Sequence, residues 1–280
     1  MKMRDFLTAE NIQRRGILKM SRFCSLFSSS SGNSTYIGTA NNGILVDAGV
    51  SAKQQLISCV NSGIDIDSIR AIFITHEHTD HVKGLKVLAK KLKVPIFATE
   101  ETLVAMCEKD MVDENNELRV IDERGAEICG MEIMPFTTPH DSAHSVGYTI
   151  NMPDERKISV CTDLGTVTDR VFKAISGSDL ILLESNHDVD MLKSGPYPYS
   201  LKQRILSTYG HLPNEMCAET AVKLLKTGTT RFVLGHLSKE NNTPEKAWQT
   251  SLSAFEDAQA RNNVDYQLFV AGNNNGLIRI

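Results

Sequence analysis

The stretch Ile72-Phe73-Ile74-Thr75-His76-Glu77-His78-Thr79-Asp80-His81 puts four potential metal ligands within six residues, directly behind an apolar run. The run reads as a buried strand ending at Thr75, and the polar residues begin where that strand stops. Core packing gives no reason to concentrate imidazoles and a carboxylate there. Metal binding does, because neutral imidazole nitrogen and carboxylate oxygen suit zinc and related divalent ions. The spacing His76-x-His78 lets two rings reach one ion from an extended loop, while Asp80 and His81, opening a helix, turn towards a second.

Further ligands are needed, and the sequence supplies them in the same setting. His140 follows Met134-Pro-Phe-Thr-Thr-Pro139, Asp163 ends Ile158-Ser-Val-Cys-Thr162, and His236 ends Arg231-Phe-Val-Leu-Gly235. The other histidines, at 144, 187 and 211, also fall in predicted loops or at strand ends, where site residues collect. Either His140 or His144 is placed to serve as the third-motif ligand.

Around these points, short apolar runs alternate with helical patterns. Strands are predicted near 22–27, 34–39, 43–47, 71–75, 94–98, 118–121, 126–136, 146–152, 156–162, 179–183, 231–235 and 265–280. Helices are predicted at 51–62, 82–92, 100–109, 167–176, 200–209, 214–227 and 243–260, with Asn214 capping the helix it opens. A hairpin over 146–162 turns at Pro153-Asp154-Glu155. The order predicts an α/β fold with mixed sheets. No repeat or long linker divides the chain, so residues 21–280 read as one domain and residues 1–20 as an extension without an assigned role.

Composition narrows the class. The 280 residues are 41% hydrophobic and 23% charged, with a net charge of −4, so any polyanionic substrate needs a local basic surface. No run reaches the roughly 20 apolar residues of a membrane span, and residues 1–20 lack a signal-peptide pattern. Cys24, Cys59, Cys107, Cys129, Cys161 and Cys217 form no CxxC pair. Scattered cysteines in apolar surroundings fit reduced residues in a cytoplasmic protein.

Thr75-His-Glu-His-Thr-Asp-His81 resembles the HxHxDH signature of the metallo-β-lactamase superfamily. That resemblance implies a four-layer αββα sandwich, two mixed sheets flanked by helices, with a dimetal site at one edge. It implies that His76, His78 and His140 bind one ion, that Asp80, His81 and His236 bind the other, and that Asp163 bridges them with a water or hydroxide. The family places a histidine seven residues before the Gly147-Tyr148 pair, which selects His140 over His144. Both zinc and manganese suit such ligands.

Other segments are similar to the WalJ/YycJ-type branch, whose members are proposed DNA exonucleases. They are Ser28-Ser-Ser-Ser-Gly-Asn33-Ser34, Leu183-Glu184-Ser-Asn186-His187-Asp188 and Leu234-Gly-His236-Leu-Ser238-Lys-Glu-Asn-Asn242. His211 before an Ala-containing helix resembles the corresponding histidine of ribonuclease Z-like phosphodiesterases, although Pro213 stands where a serine is expected. Together these imply a phosphodiesterase or exonuclease acting on nucleic acid, DNA before RNA, with Asp80 and His211 catalytic and a homodimer allowed.

Substrate contacts are expected from Ser31 and Asn33 in a Ser-rich loop, from Ser238, and from Tyr197 and Lys202 in a segment combining prolines, tyrosines and cations. Lys83, Lys86, Lys90, Lys91 and Lys93 form a further cationic stretch. Glu184 and His187 read equally as packing residues or as supports for the ligands. The alternative activity is a small-molecule hydrolase of the same fold, such as a glyoxalase II-like thioesterase. A non-catalytic binding module is the third class, opposed by the complete ligand set.

Overall fold

A computed structural model describes residues 20–272 and 276–280. The extension assigned to residues 1–20 lies outside these residues apart from Met20. The chain opens with β1 (Arg22–Ser29), β2 (Gly32–Gly38), β3 (Gly43–Val46), α1 (Ala52–Asn61) and a 3-10 turn at Ile66–Ser68. There follow β4 (Ile69–Phe73), α2 (Thr79–Val82), α3 (Leu85–Leu92), β5 (Ile96–Ala98), α4 (Glu100–Glu108) and β6 (Leu118–Val120). The second half contains β7 (Ala126–Ile128), β8 (Met131–Thr137), β9 (Val146–Asn151), β10 (Lys157–Cys161), α5 (Asp169–Ile175) and β11 (Leu180–Glu184). It ends with α6 (Val189–Ser194), α7 (Tyr199–Ile205), α8 (Asn214–Leu225), β12 (Arg231–Gly235), α9 (Pro244–Asp257), β13 (Gln267–Val270) and β14 (Ile278–Arg279).

One sheet has the order β14-β1-β2-β3-β4-β5-β6 and the other β13-β12-β11-β10-β9-β8-β7. Each is mixed: β3 to β6 and β10 to β13 run parallel, while β1 to β3 and β7 to β10 run antiparallel.

Side-chain alternation shows why the strands read as unbroken apolar runs. Ile44, Val46, Ala71 and Phe73 point into a core shared with Tyr148, Val160 and Leu182 of the facing sheet. Their neighbours Leu45, Ile72 and Ile74 pack instead under the helices of the first sheet. In the second sheet, Leu180 and Leu182 face inward while Ile181 and Leu183 meet α8 and its neighbours. Both faces of each central strand are covered, giving the αββα sandwich.

The sheets are also stitched together where β4 runs out. Tyr148 Oη donates to the Ile74 carbonyl at 2.7 Å, and Val146 N–H donates to the Thr75 carbonyl at 3.1 Å. These bonds satisfy backbone groups that have left the ladder and fix where His76 begins.

Several elements differ from the sequence reading. The strand expected over 126–136 is a hairpin, β7 and β8, because Cys129 (φ 52°) and Gly130 (φ 79°) form a two-residue left-handed turn. The final strand expected over 265–280 divides into β13 and β14, which belong to different sheets. The helix expected over 82–92 breaks at Lys83-Gly84, where Gly84 packs on the Val50 carbonyl. The Ser-rich stretch read as a loop is mostly strand, with only Ser30 and Ser31 between β1 and β2. Asn214 is the first helical residue rather than the cap, since its amide is spent on Ser185 (2.7 Å) and Asn242 (2.9 and 3.0 Å). Helix α6 lies in a segment without a helical prediction.

Among the described residues no helix is long and apolar enough to cross a membrane, and all six cysteines are free.

The loop after β3 braces the histidine segment. Ala48 N–H donates to the His81 carbonyl at 2.7 Å, and Gly49 N–H to the Asn33 carbonyl at 2.8 Å. A Cβ on Gly49 would lie 1.6 Å from the Asp80 carbonyl oxygen, an overlap that only backbone displacement relieves. Gly49→Ala is therefore expected to cost more than the roughly 1–3 kcal/mol of ordinary overpacking, as measured by urea unfolding.

Candidate metal centre

The potential ligands converge because parallel strands from both sheets end at one rim. The segment after β4 supplies His76, His78, Asp80 and His81; those after β10 and β12 supply Asp163 and His236, and the last residue of β11 is Glu184. Asp47 (φ 64°), Asp163 (φ 58°) and His236 (φ 56°) all have left-handed backbone. Non-glycine residues pay for this conformation, and here it redirects the side chain just as a buried strand ends.

Two groups face each other. His76, His78 and His140 bring ligand atoms within 4.8 Å of one another, and so do Asp80, His81 and His236. Asp163 stands between them: one oxygen is 3.3 Å from His81 Nε2, and the other is 3.8 Å from His140 Nε2 and 3.6 Å from His236 Nδ1.

The donor set fits cations. His76 Nε2 and Asp163 Oδ2 are buried without a hydrogen-bond partner, a costly condition unless another group compensates. His140 Nδ1 donates to the Gly210 carbonyl at 3.1 Å, leaving its Nε2 facing His78 Nδ1 at 3.3 Å. A shared divalent ion satisfies nitrogens so arranged.

Burial, together with His81, His140 and His78 nearby, holds His76 well below the ordinary imidazole range. Burial and His140 likewise lower His78. Both are thus neutral, the form that binds metal. Burial also opposes charge on His81 and His236, but Asp163 and the other carboxylates around them prevail: His81 is held well above its usual value and His236 is raised to about 10. Asp80 is buried too, yet hydrogen bonds from His236 and His81 keep it ionised far below the usual carboxylate range.

Residues behind the ligands fix their orientation. Asp47 accepts His81 Nδ1–H at 2.8 Å and also the Thr75 N–H and hydroxyl, at 2.9 and 3.0 Å. Glu184 accepts from His236 Nδ1 at 2.7 Å and His211 Nδ1 at 2.8 Å through one oxygen, and from Leu164 N–H and Leu212 N–H through the other. Asp163, Glu184, His211 and His236 form another compact group. With the Glu184 oxygens already taken by these donors, that group is a hydrogen-bonded support. Glu77 ties the histidine segment to the next loop by accepting Ala143 N–H at 3.2 Å.

Neither Asp47 nor Glu77 was singled out in the sequence. For Asp47 a signal existed, since it follows Gly43-Ile-Leu-Val46 just as Asp163 follows its own apolar strand.

Asn33 Nδ2 lies 3.2 Å from Asp80 Oδ2 and 3.1 Å from His81 Nε2, whereas Ser31 is exposed beside Ser29. Ser238 is buried and accepts Asn241 N–H at 3.2 Å. Lys202 donates to the Lys193 and Gly195 carbonyls at 2.7 Å, closing the end of α6, and Tyr197 is half-buried. His144 lies outside the compact groups, 3.1 Å from Glu101. Of the cationic stretch, Lys86 pairs with Asp110, while Lys91 and Lys93 border a groove that includes Ile69, at the opposite end of β4 from the histidines.

Residues 42–237 match the model of the Beta-lactamase superfamily domain. This chain belongs to the metallo-β-lactamase superfamily. It is 36% identical over 251 residues to exodeoxyribonuclease WalJ of Streptococcus pneumoniae, covering 89% of this chain and 93% of that one. It is also 36% identical to exodeoxyribonuclease YycJ of Bacillus anthracis, covering 84% and 89%. The crystal structure of the metallo-β-lactamase fold protein YhfI from Bacillus subtilis superposes with a TM-score of 0.68 at 15% identity, covering 93% of this chain and 99% of that one. Residues behind the candidate ligands are expected to matter as well: Asp47→Ala should weaken divalent-metal binding by about 10–100-fold, read by competition with a chelating dye.

His187 offers a separate test. It is buried with Nε2 unpartnered, and burial lowers it to about 4. The unfolded chain, with an ordinary imidazole near 6.5, therefore takes up the proton first as pH falls. Stability from this group is intact above about pH 6.5 and declines by about 3 kcal/mol on reaching pH 4. Urea unfolding of the metal-free protein across that window should show a shallower decline for His187→Asn.

Proposed function

We propose that this chain is a dimetal exodeoxyribonuclease. The supporting observation is Asp163, buried between two compact ligand groups, in a chain related nearly end to end to proteins named exodeoxyribonucleases. His76, His78 and His140 would hold one ion, Asp80, His81 and His236 the other, and Asp163 both. Zinc and manganese suit these donors. Ions held there acidify water and stabilise the negative charge that develops on a phosphodiester.

The protein's own groups supply the rest. Glu184 fixes His211 through Nδ1, so Nε2 is the nitrogen available to protonate the leaving oxygen. Burial would raise the Glu184 carboxyl, but His211 and His236 overcome it and keep the group ionised well below its usual range. Asn33 holds Asp80 in place from β2. Arg204 forms a bidentate pair with Asp141, next to His140, and brings a cation to this edge. Asn33, Ser31, Ser238, Tyr197 and Lys202 are proposed along the substrate path; for Lys202, carbonyl capping limits it to a supporting part. Free cysteines agree with a reducing cytoplasm.

End-labelled single- and double-stranded DNA and RNA, incubated with zinc- or manganese-loaded protein, should shorten stepwise, with DNA preferred and His78→Ala inactive. Rapid thioester hydrolysis without degradation of any nucleic acid would overturn the assignment. His211→Ala should lower kcat by about 10²–10⁴-fold while zinc content stays at the wild-type level.

A further inference from the structure

Beside His236, at the same rim, lies a cavity of about 360 Å³ that the metal centre does not use. Phe27, Leu237 and Pro244 provide apolar walls, and Ser29, Ser31 and Lys239 a polar edge. It is physically joined to the ligands. Ser28 Oγ accepts the His236 N–H at 2.8 Å, and Ser29 and Leu237 are bridged backbone to backbone. Asn33, on the strand that leaves this turn, reaches Asp80 and His81.

The chemistry of the cavity has two sides. Ser29 and Ser31 hydroxyls lie 2.9 Å apart, and with one O–H spent between them the other remains free to donate to an anion. Lys239 is exposed and enters no ion pair among the described residues. The N-terminal end of the 14-residue α9 reaches the same cavity at Pro244, adding positive dipole. In the same lining, partly buried Phe27 offers an aromatic surface that a base can stack on, and Leu237 and Pro244 add apolar contact. The volume is at the small end for ligand sites, room for one nucleotide unit rather than a length of strand.

We propose that this cavity receives the terminal nucleotide of the substrate, its phosphate against Ser29, Ser31 and Lys239 and its base against Phe27, Leu237 and Pro244. The inference rests on the nuclease reading for its substrate class and adds where the strand end sits.

The test is calorimetric titration of zinc-loaded protein with a deoxynucleoside monophosphate, with inorganic phosphate alone as the comparison. Wild type should bind the nucleotide saturably and more tightly than phosphate, and Lys239→Ala combined with Ser31→Ala should weaken both by about tenfold. Both residues are on the surface, so folding is not at stake. Absence of nucleotide binding, or equal affinity in the variant, overturns the cavity assignment, and DNA degradation by that same protein would leave the nuclease reading standing. Lys239-dependent nucleotide binding by a protein that degrades no nucleic acid would do the reverse.

Discussion

Buried charge is the constraint around which this structure is organised. Asp47, Asp163 and Glu184 are almost wholly shielded from water, and His76, His81 and His236 are buried with them. Isolated, any of these charges would be prohibitively expensive. They persist because the oxygens of Asp47 and Glu184 accept from imidazoles and backbone N–H groups, and because His76 and His78 are kept neutral. Where protein partners run out, at His76 Nε2 and Asp163 Oδ2, the arrangement is suited to a divalent ion.

The sandwich makes such a cluster possible. Parallel strands buried on both faces end at a common rim, so side chains from distant parts of the sequence meet without long loops. Left-handed backbone at Asp47, Asp163 and His236 turns each of them immediately after its strand. The bonds from Tyr148 and Val146 to the Ile74 and Thr75 carbonyls lock one sheet to the other beside the first histidine. Gly49 permits the backbone contact that holds Asp80 and His81. Fold and site thus depend on the same few close approaches.

Chemistry is divided between the halves of the site. His76, His78 and His140 present nitrogens with little competition from neighbouring acids, whereas His81 and His236 sit among Asp47, Asp80, Asp163 and Glu184. That asymmetry places excess negative charge on one side. Glu184 links the second group to His211, so the residue assigned to the leaving group is oriented by the carboxylate that also orients a ligand.

Much of this was legible in the amino-acid order. Apolar runs marked the central strands because both of their faces are buried, and His76 to His81 stood out because no packing argument accounts for them. His140, Asp163 and His236 could be picked by their position after such runs. Shorter-range features misled where turn geometry decided: Cys129-Gly130 divides one apparent strand into a hairpin, and serines at 28 and 29 pair in a ladder despite loop-like composition. Sequence also left Glu184 and His187 undecided between packing and support, and left His140 and His144 both available until family resemblance was used. Only the tertiary structure shows that Asp47 grips His81, that Glu184 serves two histidines, that Lys202 caps a helix, and that a cavity opens beside His236. The physical reason is range: strand burial is written in local periodicity, whereas, the Lys202 cap apart, these contacts join residues tens to hundreds of positions apart and exist only once two sheets bring their strand ends together.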